Sequence, residues 1–414
     1  MKKWLLCASL TALAGCNVES TDKPTGGVGV VGDELCPAGV VTVLSDYLST
    51  QIALLDKNGE VLSESFVSSG SMEASGVAAP LSGDVVAPSN RSDSGEVVLL
   101  DRFGTNVITW VDPASAEVRA QLPVGSGFES NPRDYLELSA TKAYVPRWGE
   151  NAEPSEDDPY SQGGDVLIVD PSIPEISGTI ALPRESDQPP RPSSVTLLGR
   201  NALVVLQRLA LDFASQGDSE IVAVDTDSDE IAWHLVLDGL EGCGRVMLSP
   251  SGKRMALGCT GTIDFDGNLI DPAATGIVLL DATTSPPTEL RRISVYDQFN
   301  FPPQPEIEFV SDDVMLVKTQ TPFMGEGNNQ LLALDLNDDS FRVLAEAGPN
   351  DDGSGRGIVF GSMLCTPSCS DACLVTDLEH SSVRRFTIKG DLAELDAVSL
   401  GVDSGLPPVN LGAF

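Results

Sequence analysis

Six segments with a common pattern, an apolar run that ends in aspartate, decide the fold. They are QIALLD (51–56), NVITWVD (106–112), DVLIVD (165–170), EIVAVD (220–225), GIVLLD (276–281) and QLLALD (330–335). Their final aspartates are 56, 58, 55, 56 and 54 residues apart, and a weaker copy, SVRRFTIKGD, ends 56 residues later at Asp391. A period of this length with several strands in each repeat is typical of propeller blades.

Each repeat divides into four short strands, called a to d from the axis outward. In the fifth repeat they are RVMLSP (245–250), RMALGC (254–259), GIVLLD (276–281) and LRRISV (290–295). The aspartate after strand c is expected to form an Asx-type turn that binds backbone amides, so it does not indicate catalysis.

The two ends of the repeat array are complementary. The first repeat begins at its second strand, VVTVLSDY (40–47), whereas the C-terminal PVNLGAF (408–414) is a strand without a repeat of its own. Pairing them would close the ring and remove both sheet edges. The predicted fold class is all-β: a seven-bladed β-propeller of four-stranded antiparallel blades over residues 36–414.

Composition excludes several classes of partner. The chain has 414 residues, 25 Lys and Arg, 61 Asp and Glu, and a formal net charge of −36. Such a surplus of carboxylates repels phosphate backbones, so no nucleic-acid partner is expected. No interior stretch approaches the roughly 20 apolar residues of a membrane helix.

The first residues have the layout of an export signal. Lys2 and Lys3 precede an apolar run, and Leu13-Ala14-Gly15-Cys16 resembles a bacterial lipobox. Residues 1–15 are therefore predicted to be a lipoprotein signal peptide, Cys16 the lipidated residue and 16–35 a flexible tether. This predicts an exported protein anchored in a lipid bilayer of the bacterial cell envelope, at the outer membrane. The alternative is an ordinary signal with a chance cysteine.

Blade motifs resemble one family. KAYVPRW (142–148), DVLIVDP (165–171) and ISGTIALP (176–183) are similar to the YVTN, VSVIDP and TIPVG segments of the YVTN-type (YncE-like) bacterial propellers. The resemblance implies a seven-bladed propeller and, together with the lipobox, an envelope lipoprotein. Such motifs specify fold better than activity.

Six cysteines follow the predicted lipidated Cys16. An even number in an exported chain indicates disulfides, with fifteen possible connectivities. Cys243 and Cys259 are symmetric about residue 251, the centre of a predicted hairpin, and Cys365 and Cys373 are symmetric about 369. These pairings leave Cys36 to join Cys369. The alternative is a metal or iron–sulfur site on the three cysteines at 365, 369 and 373.

Four arginines stand out against the acidic background, each just before an innermost strand: Arg133, Arg191, Arg245 and Arg356. In a closed ring they would converge on the axial mouth at the face that carries the long connections. A cationic ring of this kind can bind a carboxylate or phosphate. The alternative is that each arginine caps carbonyls or pairs with a neighbour such as Asp134.

A calcium-like set of oxygen ligands occurs in one loop: Asp264, Asp266, Asn268 and Asp271. The full calcium-loop spacing is absent, and Asp266-Gly267 is more typical of a hairpin turn. The two histidines, His234 and His380, lie at different blade levels, and Glu306 is the nearest axial carboxylate.

The sequence thus offers few candidate residues for general acid–base catalysis. The sequence favours a non-catalytic platform, without a resident cofactor apart from a candidate calcium ion, that binds an anionic small molecule or a protein at the cell envelope. The alternative is a periplasmic, lactonase-like propeller hydrolase or lyase with a metal held by axial carboxylates.

Overall fold

The computed structural model describes residues 36–71, 79–185, 188–264, 268–320, 329–347, 359–390, 392–401 and 403–414. Its strands form seven antiparallel sheets of four strands each, which confirms the predicted all-β, seven-bladed propeller. The described part of the chain contains no helix whose length and apolar character would let it cross a bilayer.

The strands of the first four blades follow chain order, apart from one strand of blade 1 that comes from the C-terminus. Blade 1 contains β1 (Val40–Ser45), β2 (Thr50–Leu55) and β3 (Val61–Ser68). Blade 2 contains β4 (Val85–Val86), β5 (Val97–Asp101), β6 (Val107–Val111) and β7 (Val118–Pro123). Blade 3 contains β8 (Leu136–Ser139), β9 (Lys142–Glu150), β10 (Gly163–Asp170) and β11 (Glu175–Ala181). Blade 4 contains β12 (Pro192–Leu198), β13 (Asn201–Leu206), β14 (Glu220–Asp225) and β15 (Glu230–Val236).

The remaining blades follow the same plan. Blade 5 contains β16 (Met247–Leu248), β17 (Arg254–Cys259), β18 (Gly276–Asp281) and β19 (Thr288–Ile293), with a 3-10 turn at Pro272–Ala274. Blade 6 contains β20 (Pro303–Phe309), β21 (Val314–Thr319), β22 (Gln330–Asp335) and β23 (Ser340–Glu346), preceded by the short helix α1 (Tyr296–Phe299). Blade 7 contains β24 (Phe360–Cys365), β25 (Ala372–Asp377), β26 (Ser382–Thr387) and β27 (Ala393–Ser399). The last strand is β28 (Pro408–Ala413).

The C-terminal strand closes the ring as predicted. β28 is the innermost strand of blade 1, where the strand order is β28-β1-β2-β3, and Val41 of β1 pairs with Gly412. One blade therefore contains strands from both ends of the chain. This pairing gives blade 1 its fourth strand and leaves no open edge at β1, so the two ends of the chain stabilise each other.

The core lies between adjacent blades. Among the described residues, seven apolar clusters each join two neighbouring blades, and the cluster that unites Leu44 of blade 1 with Leu374 of blade 7 completes the circle. Between blades 2 and 3, Trp110 and Tyr135 pack edge to face with ring centroids 6.1 Å apart. These interfaces derive their stability from apolar area removed from water.

The repeated aspartates form the expected turns. In six repeats the Oδ1 atom of the aspartate after strand c accepts a hydrogen bond from the backbone N–H two residues later, at Asp56, Asp112, Asp170, Asp225, Asp281 and Asp335. The seventh, Asp391, lies outside the described residues. Hydrogen bonds from the hydroxyl groups of Ser172 and Thr283, together with these backbone bonds, hold the pKa of Asp170 and of Asp281 below the usual value. These six aspartates of the acidic surplus thus stabilise turns.

All three predicted disulfides are present. Cys243 bonds to Cys259 across 16 residues, and Cys365 bonds to its strand partner Cys373 across 8. Cys36 bonds to Cys369 across 333 residues, which ties the start of blade 1 to the β24–β25 turn of blade 7. The sulfur atoms of Cys365, Cys369 and Cys373 are all in disulfides. They are therefore not available as ligands of the alternative metal or iron–sulfur site.

Ring closure predicts a large effect for Phe414→Ala. Phe414 is 1% exposed, packs in the cluster between blades 1 and 2 and follows the closing strand. We expect this substitution to lower the free energy of unfolding by about 3–5 kcal/mol. Chemical denaturation followed by circular dichroism measures it. The control is Leu48→Ala, because Leu48 is 88% exposed, and its expected change is within about 0.5 kcal/mol. Equal effects of the two variants would contradict this role for Phe414.

Candidate ligand-binding cavity on the propeller axis

The antiparallel blades give the propeller two faces. The a–b and c–d turns lie at one face, the turn face, and the b–c and d–a connections lie at the other, the loop face. Buried ion pairs brace the loop face where strand b ends and strand c begins. In blade 3, Arg147 donates to both carboxylate oxygens of Asp165 at 2.8 and 2.7 Å, and in blade 4 Arg208 pairs with Glu220. These pairs hold the long b–c connections on a rigid base.

The innermost strands surround a polar cavity of about 260 Å³ that opens at the loop face, called the upper chamber here. Blades 1 to 6 each contribute to its lining, which includes three arginines, two carboxylates and several hydroxyl and amide groups: Arg102, Arg133, Arg245, Asp134, Glu306, Ser89, Ser193, Ser194, Gln207 and Asn410. The upper chamber therefore contains two of the four predicted arginines.

Arg133 is a cation without a carboxylate partner. Within the described residues, its guanidinium has no hydrogen bond or ion pair, and its carbon atom Cζ lies 5.6 Å from the centre of the Trp148 ring. Asp134, the next residue, is not its partner, because that carboxylate accepts from the backbone and hydroxyl of Ser89 and the backbone of Val195. Burial and the neighbouring Arg102 lower the pKa of Arg133 to about 10. The neighbouring carboxylate of Asp84 opposes this lowering but does not offset it.

Two further donors in the upper chamber are unused. The Nε atom of Arg245 and the Oγ atom of Ser194 are buried without a hydrogen-bond partner. By contrast, Arg102 pairs with Asp84 through its Nε atom at 3.2 Å, and Gln207 accepts from the indole N–H of Trp148 at 3.1 Å. A buried donor without an acceptor costs free energy, so these groups favour an incoming acceptor.

The axial carboxylates all have partners. Glu306 accepts from the Nζ atom of Lys318 and from the Oγ atom of Ser362, each at 2.7 Å. Burial opposes the ionisation of Glu306, but Lys318 and Arg245 outweigh it and hold its pKa below the usual value. Glu308 pairs with Arg245. Among the described residues, no group of three or more His, Cys, Asp or Glu side chains is arranged to hold a metal ion.

Arg191 departs from the prediction of a converging ring. Its guanidinium stacks on Trp148 at 3.9 Å and donates to the carbonyls of Trp148 and Leu209. This is the capping alternative, because the aromatic ring and the carbonyls already use the cation. Arg356 lies outside the described residues. Of the predicted ring, the structure thus brings together Arg133 and Arg245.

The described residues on either side of the tip of the candidate calcium loop pair with each other. Ile263 and Leu269 are bridge partners, and Asp264 accepts from the backbone N–H of Asn268 at 2.7 Å. Asp271 accepts from the backbone of Ala273 and caps the 3-10 turn. Asp266 lies outside the described residues. The oxygens of Asp264 and Asp271 thus have local structural uses, and calcium binding stays a prediction.

Sequence reasoning did not find Arg102, Ser194 or Glu308. Arg102 follows strand b of blade 2, whereas the sequence prediction placed axial arginines only before innermost strands. Glu308 is two residues after Glu306 in β20 and thus on the same face of the strand, so the two-residue period could have revealed it. No sequence feature marked Ser194 as a residue of the site, because serine is common in strands.

The pH dependence of stability contains a contribution from Glu308. Burial, reinforced by Glu306, raises the pKa of Glu308 to about 7 from 4.5 despite the attraction of Arg245. Between these values the folded state binds more protons than the unfolded state, so this contribution falls as pH rises toward 7. We expect the unfolding free energy of Glu308→Gln, measured by urea denaturation from about pH 5 to 8, to lose that slope. The exposed control Glu230→Gln should retain it, and unchanged slopes in both variants would contradict the prediction.

The fold and this cavity define the class of protein: a seven-bladed β-propeller with a polar axial chamber. No protein-family model matches the sequence, and no curated protein matches it either. The class is supported by the many solved structures with a similar fold.

Three of the solved structures illustrate that likeness. A putative 6-phosphogluconolactonase from Bacteroides fragilis has a TM-score of 0.53 and 11% identity over 90% of this chain and 97% of that chain. The periplasmic gluconolactonase of Pseudomonas aeruginosa has a TM-score of 0.54 and 11% identity over 90% of this chain and 98% of that chain. A protein from Lactobacillus plantarum has a TM-score of 0.56 and 11% identity over 91% of this chain and 99% of that chain. At such low identity the likeness establishes the fold alone.

Proposed function

We propose that the protein is a non-catalytic binding propeller that holds an anionic, hydroxyl-bearing small molecule in the upper chamber. The observation that carries the proposal is the presence of three unused donors in one cavity: the guanidinium of Arg133, the Nε atom of Arg245 and the Oγ atom of Ser194. A carboxylate or phosphate group of the ligand would accept hydrogen bonds from the two arginines. A hydroxyl group of the ligand would hydrogen-bond to the Oγ atom of Ser194.

The acidic net charge of −36 is compatible with an anionic ligand. Many of the carboxylates lie in the turns that follow strand c, at the turn face, where they bind backbone amides. Charges separated by more than a Debye length of about 8 Å are largely screened at physiological ionic strength. Local contacts in the chamber therefore decide affinity.

Isothermal titration calorimetry with inorganic phosphate, gluconate and 6-phosphogluconate tests the proposal. We expect at least one of these anions to bind with a Kd below about 1 mM, and the neutral sugar glucose to bind at least tenfold more weakly. Equal affinity for glucose and gluconate would refute recognition of the anion, as would the absence of binding by all three anions.

The hydrolase or lyase alternative is supported by fold likeness to proteins described as lactonases. The partners of Asp134, Glu306 and Glu308 leave no free axial base among the described residues. Hydrolysis of δ-gluconolactone above the uncatalysed rate, abolished by a chelator, would favour this alternative over the binding proposal.

Export and attachment to the outer membrane through Cys16 are part of the proposal. Three disulfides support an oxidising compartment. Metabolic labelling with a tagged fatty acid tests the anchor: the full chain should be labelled, and Cys16→Ser should not. Labelling of both would contradict acylation at this cysteine.

A further inference from the structure

A second and larger cavity lies at the opposite end of the axis. This lower chamber has a volume of about 400 Å³, within the range of small-molecule sites. It opens at the turn face, between the β16–β17 turn at Pro250, the β24–β25 turn at residues 366–369 and Pro37 at the start of blade 1. Arg245 and Ser89 line both chambers and therefore form the constriction between them.

The walls of the lower chamber contain the hydroxyl and amide groups of Asn90, Thr196 and Ser368 beside a patch of apolar side chains. The apolar side chains include Met247, Leu248, Phe309 and Leu364, which come from the innermost strands of blades 5, 6 and 7. Phe309 and Leu364 are buried, whereas Met247 and Leu248 are half-buried. Apolar side chains that surround a cavity of this size favour an apolar body within it.

Charged groups are concentrated at the inner end and on one wall. Arg245 pairs with Glu308 through one terminal nitrogen, and its Nε atom has no acceptor. Arg91 donates to the carbonyl of Cys36 at 2.9 Å and lies 3.4 Å from the carboxylate of the mostly exposed Asp93. Two guanidinium groups thus line the lower chamber beside one carboxyl group, Glu308, which leaves the lining with a positive balance.

We infer that the lower chamber is a second ligand site, for a carboxylic acid with a compact apolar body. The carboxylate would lie at Arg245 and Arg91, and the apolar body would pack against Met247, Leu248, Phe309 and Leu364. This site differs from the upper chamber in its larger apolar side chains, whereas hydroxyl and amide groups line both chambers. It shares Arg245 with the upper chamber, whereas Arg91 and the apolar walls take no part in the proposed function of the loop face.

Matched eight-carbon probes test the ligand class. In calorimetric titrations of the full protein, we expect octanoate to bind at least tenfold more tightly than octanol, and octylammonium to bind more weakly than either. Equal affinity for octanoate and octanol would reduce the chamber to a non-specific apolar surface and overturn the inference, as would preferential binding of octylammonium.

Variants that block the lower chamber test the location. Met247→Trp should lower octanoate affinity at least tenfold and leave anion binding in the upper chamber unchanged. If Met247→Trp fails to fold, Ser368→Trp provides the same test, because Ser368 lines the mouth from an exposed turn position. Unaltered octanoate binding in a folded blocking variant would overturn the assignment. Failure of the upper-chamber anions to bind would not affect this result, so the two proposals fail separately.

Discussion

Replacing Arg133 with methionine is expected to weaken anion binding in the upper chamber and also to make the protein more stable. Arg133 lines the chamber and has no anionic partner among the described residues. A charge-assisted hydrogen bond contributes about 1.5–3 kcal/mol, so its loss should weaken binding roughly ten- to hundredfold. Methionine keeps the apolar volume of the arginine stem and removes an unpaired charge, which should stabilise the free protein by about 1–2 kcal/mol.

These opposite changes separate a ligand-binding residue from a structural one. If Arg133 supported the fold, Arg133→Met would lower both the melting temperature and the affinity. The matched control is Arg200→Met, which removes the same charge from the β12–β13 turn at the opposite face. Arg200 is mostly exposed and pairs with Asp225 at 2.6 Å. We expect unchanged affinity for this control, since long-range charge effects are screened. A loss of stability in Arg133→Met with unchanged affinity would falsify the assigned role.

Removing the disulfide between Cys36 and Cys369 is expected to destabilise the protein far more than removing the one between Cys243 and Cys259. The first closes a segment of 333 residues and the second a segment of 16. In the chain-entropy model, the longer loop constrains the unfolded state more, by about 2–3 kcal/mol relative to the shorter one. The first bond also ties blade 7 to the start of blade 1.

Paired serine substitutions test this prediction. We expect Cys36→Ser with Cys369→Ser to lower the free energy of unfolding by about 5–6 kcal/mol in total. Cys243→Ser with Cys259→Ser should lower it by about 3 kcal/mol, and chemical denaturation under non-reducing conditions measures both values. Equal losses would show that ring closure by β28 already restrains the ends of the chain, and that the disulfide adds only local stability.

Repetition made the blade architecture readable from the sequence. The spacing of the six apolar-Asp segments was enough for blade number, strand count and turn chemistry, because each blade is a local unit that repeats. The unpaired strands at residues 40–47 and 408–414 were enough to predict closure of the ring, because an open sheet edge requires a partner. Symmetry about residues 251 and 369 was enough for the disulfides, because hairpin partners face each other.

The directions of the side chains at the axis could be determined only from the tertiary structure. Arg133, Arg191 and Arg245 occupy equivalent places in their repeats, yet Arg191 stacks on Trp148 and Arg245 pairs with Glu308. Arg133 has no hydrogen bond or ion pair among the described residues, and only the more distant ring of Trp148 faces its guanidinium. Residues of other blades decide these contacts, and equal spacing along the chain carries no information about them. The same holds for the lower chamber, whose walls come from residues more than 300 positions apart, such as Asn90 and Ala413. A cavity is a property of surfaces that meet only after the ring has closed.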